Sequence, residues 1–147
     1  MKHGLMILSA LILVAAGLVF MSMNTKRPKL KGTAWQFEEK MFVADAGYET
    51  TTYTIEFVTS KDAVYKRKSY MPPHPNMYMN PDGTVSTNPG WGSEDEKKCT
   101  YKWHRNILSL TFEDGSRMVM VYRDGKLTDI KRSLSGEERV FTMVEGQ

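Results

Sequence analysis

The feature that most constrains this chain is a repeated alternation of apolar and polar side chains. Lys97–His104 sets Cys99, Tyr101 and Trp103 against Lys98, Thr100, Lys102 and His104. Asn106–Phe112 turns Leu108, Leu110 and Phe112 to one side, and Ser116–Tyr122 does the same with Met118, Met120 and Tyr122. Successive side chains of a strand point to opposite faces, so stretches of period two bury one face of a sheet and wet the other. The pattern begins earlier in the chain. Thr33–Val43 carries Trp35, Phe37, Met41 and Val43 in one phase, and Glu49–Val58 carries Tyr53, Ile55 and Phe57 against Thr52, Thr54 and Glu56. Lys61–Tyr70 is a strongly polar strand, with Val64 alternating with Tyr65; Lys126–Arg132 and Glu137–Val144 complete eight predicted strands.

The connections between these strands are short. Asp114-Gly115 and Asp124-Gly125 are hairpin dipeptides, because both residue types tolerate the positive φ of a type I′ turn. Ser135-Gly136 is a weaker signal of the same kind. Eight short strands in hairpin succession predict an all-β, antiparallel up-and-down barrel, and closure hides the edges. Residues 32–147 are assigned to this domain, and no segment of it has an amphipathic helical pattern.

Residues 1–25 are of a different kind. No charged residue lies between Gly4 and Thr25, and Leu5–Met23 is long enough to cross a bilayer as one apolar helix. Lys2 gives it a short positive start, the layout of an export signal. Residues 26–31 form a basic linker. Its cluster of Lys26, Arg27, Lys29 and Lys31 argues by the positive-inside rule for a cytoplasmic domain. The export layout is preferred, which places the domain outside the cytoplasm in the cell envelope, membrane-tethered through residues 5–23 or secreted.

The net charge of +3 belongs to this N-terminal region. All five basic residues before position 32 lie there, leaving 15 basic and 17 acidic residues in 32–147. A nucleic-acid partner is therefore not expected, since it would need a concentrated basic face. The one cysteine, Cys99, excludes an internal disulfide and a Cys-rich zinc site, so stability must come from an apolar core.

The remaining segment, 71–95, holds five of the six prolines and reads as a long irregular loop. Proline lacks the ladder donor, and unstructured loops of this length in compact domains are often functional. Met71, His74, Met77 and Met79 form M-x-x-H-x-x-M-x-M. Thioethers with an imidazole suit Cu(I); the alternative is adaptable packing over a barrel mouth. The packing reading is preferred, and no cofactor is expected. Trp35, Tyr53, Arg67, Tyr78, Trp91 and Trp103 are the candidate ligand-binding residues, with Arg67 placed to meet an anionic head at the mouth. Glu94-Asp95-Glu96 reads as loop charge. No residue set supplies a nucleophile or base with an orienting partner, so no catalytic residue is named and an enzyme is not expected.

Gly32-Thr33-Ala34-Trp35 at the first strand, Tyr53-Thr54-Ile55-Glu56-Phe57 at the second and the hairpin Leu110-Thr111-Phe112-Glu113-Asp114-Gly115 resemble the short secreted lipocalin-like (calycin-type) domains of Bacteroides-type bacteria. The resemblance spans roughly residues 30–144. It departs from lipocalins proper, where Gly-x-Trp replaces the longer Gly32–Trp35 spacing. It implies an eight-stranded barrel that binds a small apolar ligand, and a basic residue of the last strand, Arg139, lying over Trp35. The expected function is thus non-enzymatic binding of a small apolar or amphipathic ligand at the mouth beneath 71–95. The alternative is a protein-interaction module, an inhibitor or assembly factor, that uses the exposed 71–95 segment.

Overall fold

The computed structural model describes residues 27–43, 47–133 and 136–144. The apolar segment 5–23 lies outside the described residues. Among the described residues there are ten strands: β1 (Thr33–Val43), β2 (Gly47–Phe57), β3 (Asp62–Met71), β4 (His74–Met79), β5 (Val85–Asn88), β6 (Trp91–His104), β7 (Ile107–Phe112), β8 (Arg117–Arg123), β9 (Lys126–Arg132) and β10 (Glu138–Val144). Eight of them close an antiparallel barrel in the order β1-β10-β9-β8-β7-β6-β3-β2, and β4 and β5 form a separate two-stranded ribbon. The up-and-down meander expected from period-two patterning is the fold.

The core follows the alternation. Trp35, Ile55, Phe57, Leu108, Leu110, Met120, Leu127 and Phe141 are among the fully buried side chains. Each contributes roughly 1.5–3 kcal/mol by leaving water. Aromatic edges order the packing: Trp35 meets Tyr122 edge-on at 6.3 Å, Tyr122 meets Trp103 at 6.2 Å, and Phe57 meets Tyr101 at 4.9 Å. These contacts fill the lower end, where the chain enters at Leu30 and Gly32. Cys99 is buried there too, and burial pushes its thiol pKa up to about 11. It packs as a small apolar side chain whose Sγ lies 3.4 Å from the Ala63 carbonyl.

The two Asp-Gly turns differ. At Asp124-Gly125 both residues have positive φ, 51° and 77°, as a type I′ turn requires. At Asp114-Gly115 only Gly115 is positive, and the Phe112 N–H donates to Ser116 O at 3.0 Å. This is a three-residue loop with glycine in the left-handed position. The Asp114 carboxylate accepts from the Ser116 N–H at 2.8 Å.

Segment 71–95 is not a structureless loop. It contains the β4–β5 ribbon and the first residues of β6. The prolines fit because a ribbon with two free edges tolerates missing donors, and Pro75 sits at the register shift between His74 and Met77. The tip is held by side chains: Asp82 accepts from the Thr84 N–H at 2.9 Å, and Asn80 Nδ2 donates to Thr84 Oγ1 at 2.8 Å. The charges of β6 are compatible with its lengthening. Its acidic run lies in register with the basic run of β3, Glu96 opposite Lys66, Asp95 opposite Arg67 and Glu94 opposite Lys68. Opposite charges directly across a ladder favour pairing.

Candidate functional site

The upper half of the barrel interior is polar where the lower half is apolar. β10 brings Arg139 inward, in phase with Phe141. Its side chain is only 21% exposed, and its nearest carboxylate is Asp129 of β9, Nη1 to Oδ2 at 4.0 Å. A register shift between Glu138 and Val140 sets Asp129, Ile130 and Lys131 against the single Arg139. The guanidinium carbon lies 5.3 Å over the Tyr53 ring, a cation–π contact. The Nε of Arg139 is buried and has no hydrogen-bond partner among the described residues.

Four neighbours complete the cluster. Tyr53 stacks on Phe37 at 5.9 Å and donates to Glu39 at 3.4 Å. Tyr65 lies 6.2 Å from Tyr53, ring to ring. Burial, and then Tyr53 beside it, push the Tyr65 hydroxyl far above the usual phenol range, against the pull of Arg139 and Arg67. Arg67 sits on the same inward phase of β3, two residues above Tyr65, and its side chain is exposed at the rim. Asp129 is buried, and desolvation holds its pKa above the ordinary carboxylate value despite the Lys131 N–H it accepts and the Arg139 charge.

That shift has a measurable consequence. A carboxyl raised in the folded state binds its proton more tightly there than in the unfolded chain, so stability falls as pH rises. The window runs from the ordinary value of 3.8 up through the raised one. Asp129→Asn is expected to flatten this part of the profile of unfolding free energy against pH. Urea melts at several pH values across the window check it; an unchanged slope in the variant contradicts the assignment.

The residues singled out in the sequence do not form one site. Tyr53 and Arg67 belong to the upper cluster. Trp35 is 2% exposed in the lower core, its Nε1 donating to Thr33 Oγ1 at 3.0 Å, and Trp103 is half-buried beside Tyr122 at the same end. Arg139 therefore lies over Tyr53, not over Trp35, because the last strand pairs Trp35 with Met143, four residues further on. Trp91 opens β6 opposite Met71 at the upper rim, partly exposed. Tyr78 lies opposite Ser86 in the ribbon. Of the candidate metal ligands, Met71 is buried at the end of β3. His74, Met77 and Met79 lie on β4, and Met79 is 79% exposed at its end. Asp129 and Tyr65 went unmarked in the sequence. The available signal was a carboxylate in phase with Leu127 on an otherwise apolar inward face.

The arrangement suits holding an anion. Arginine keeps its charge at any accessible pH and presents five donors, few of them used here. Comparison with family models, with curated proteins and with solved structures finds no match, so the eight-stranded barrel stands without an assigned family.

Proposed function

We propose that this is a non-enzymatic binding barrel that takes the anionic head of a small amphipathic ligand at Arg139, in the upper interior beneath the 71–95 segment. The observation that carries this reading is the guanidinium itself. It is largely buried, its Nε has no hydrogen-bond partner among the described residues, and the nearest carboxylate among them stands at 4.0 Å, beyond hydrogen-bond reach. An unmade bond to a buried charged group costs roughly 1.5–3 kcal/mol, which a carboxylate or phosphate head would recover. Phe37, Tyr53 and Tyr65 supply apolar surface for the adjoining chain, and Arg67 adds a second cation at the rim. An N-terminal apolar segment would keep such a barrel beside a membrane.

Titration calorimetry of the full chain in a non-ionic detergent tests this, with decanoate as probe and decanol as its uncharged control. Decanoate is expected to bind and decanol not, and Arg139→Met should weaken decanoate at least about tenfold. Equal binding of the two probes, or an unaffected variant, overturns the reading.

A second reading, a protein-interaction module, rests on the ribbon. Met79 and Val85 are cross-strand neighbours at its end, and both are exposed. Such apolar exposure on a two-stranded ribbon is favoured at interfaces.

A further inference from the structure

The closed barrel leaves part of its longest strand unfinished. β6 runs from Trp91, but its ladder with β7 begins only at Cys99 opposite Phe112. Its ladder with β3 continues to Trp91 opposite Met71. Residues 91–98 are therefore paired on one side, and all are exposed.

The backbone groups left over can be assigned. The Tyr101 N–H donates to Lys61 O at 2.7 Å, towards the β3 side. Antiparallel strands alternate bonded and non-bonded positions, and the β3–β6 register is unbroken. The odd-numbered residues of β6 thus bond β3. Gly92, Glu94 and Glu96 turn their N–H and C=O groups to the open edge among the described residues. Where β7 stops, the foot of this edge is a concavity of about 330 Å³ lined by Glu96, Lys97, Lys98, Phe112, Glu113 and Asp114.

The side chains set the sign of what fits. Glu94, Asp95 and Glu96 make no ion pair within 4.0 Å among the described residues. On the adjacent β3 the Lys66 ammonium is held by Glu56 at 2.9 Å, so that Glu94 and Glu96 act on it only from longer range. Glu113 and Asp114 add carboxylates at the foot, with Lys97 drawn to Asp114 at 3.8 Å.

We infer that the open edge of β6 docks an extended, basic peptide segment as an added strand. Its main chain bonds Gly92, Glu94 and Glu96, and its Lys or Arg side chains alternate onto Glu94 and Glu96. Main-chain bonds give such a complex its affinity and the side chains its selectivity. A second copy of this chain is a poor occupant, because symmetric pairing of two such edges sets the acidic runs against each other.

The test is fluorescence anisotropy with the full chain in non-ionic detergent. The probe is a fluorescein-labelled peptide, Thr-Lys-Val-Lys-Thr-Lys-Val, and its control carries Glu at each Lys. The basic probe is expected to bind at least about tenfold more tightly than the control, and to weaken as salt rises. Glu94→Pro removes an edge N–H while leaving the β3 ladder intact, and should cost at least about tenfold in affinity with unchanged circular dichroism. The double variant Glu94→Gln/Glu96→Gln keeps the edge without setting like charges against Lys66 and Lys68, and should abolish the preference between probes. It decides the matter if the proline variant fails to fold. Absence of binding, equal binding of both probes, a basic probe unaffected by either variant, or a concentration-dependent dimer of the wild type lost in Glu94→Pro would each overturn the inference.

Discussion

Phe141→Ala is expected to lower the unfolding free energy by about 3–5 kcal/mol, the usual cost of emptying a large buried aromatic site. Phe141 is wholly buried, lies in register with Leu127 and packs on Phe37 at 5.8 Å. It stands between the apolar lower core and the Arg139 cluster, so the cavity would border a buried charge on one side. A domain of this size has a total stability of only about 5–15 kcal/mol, and the loss is a large share of it. Urea denaturation followed by tryptophan fluorescence measures it. Ile130→Ala is the control: Ile130 is 62% exposed on β9, and its truncation should change stability by under about 0.5 kcal/mol. A Phe141→Ala loss no larger than that of the control would mean that the interior is packed differently.

Gly90→Ala should displace the ribbon while leaving the barrel folded. A Cβ at Gly90 would stand 2.6 Å from Met71 O, 2.7 Å from Pro73 N and 2.9 Å from Pro72 C. These are backbone atoms, two of them in prolines, and they have no flexible end to retreat. Gly90 also has a φ of +75°, where a Cβ adds roughly 1–2 kcal/mol. Gly83→Ala separates the two causes. Its φ is +79° but nothing lies within 4 Å of the added carbon. The expected result is faster proteolysis between residues 72 and 90 in Gly90→Ala, with near-UV circular dichroism of the barrel retained. Gly83→Ala should stay close to wild type. If the two variants are cleaved alike, the close approach of Gly90 to the 71–73 backbone is not what fixes the ribbon. The displacement also tests whether the ribbon controls access to the upper interior, since decanoate binding can be measured on the same variant.

Much of the fold was legible in the residues. Trp35, Tyr101 and Leu110 sit in alternating runs, and alternation is a local property that a strand must satisfy wherever it pairs. Asp124-Gly125 specified its turn for a similar reason, since few dipeptides adopt positive φ twice. The β4–β5 ribbon and the upper half of β6 were hidden. Their residues are prolines and charges, which read as loop until a partner is known. Glu94-Asp95-Glu96 lies in a strand opposite Lys66-Arg67-Lys68, and that pairing joins positions far apart in the chain.

The site divides along the same line. Tyr53 and Arg67 were marked from the sequence, one by its inward phase and one by its charge on a strand. Arg139, Asp129 and Tyr65 come together only because β10, β9 and β3 are wrapped into one barrel and a register shift opposes three residues to one. The sequence by itself determined that this domain is a closed meander of alternating strands, because period two is written residue by residue. Only the tertiary structure decided that a buried, underbonded arginine faces Tyr53 and that β6 outruns its neighbour. Both depend on register and relative strand length, which a pattern of alternation leaves open.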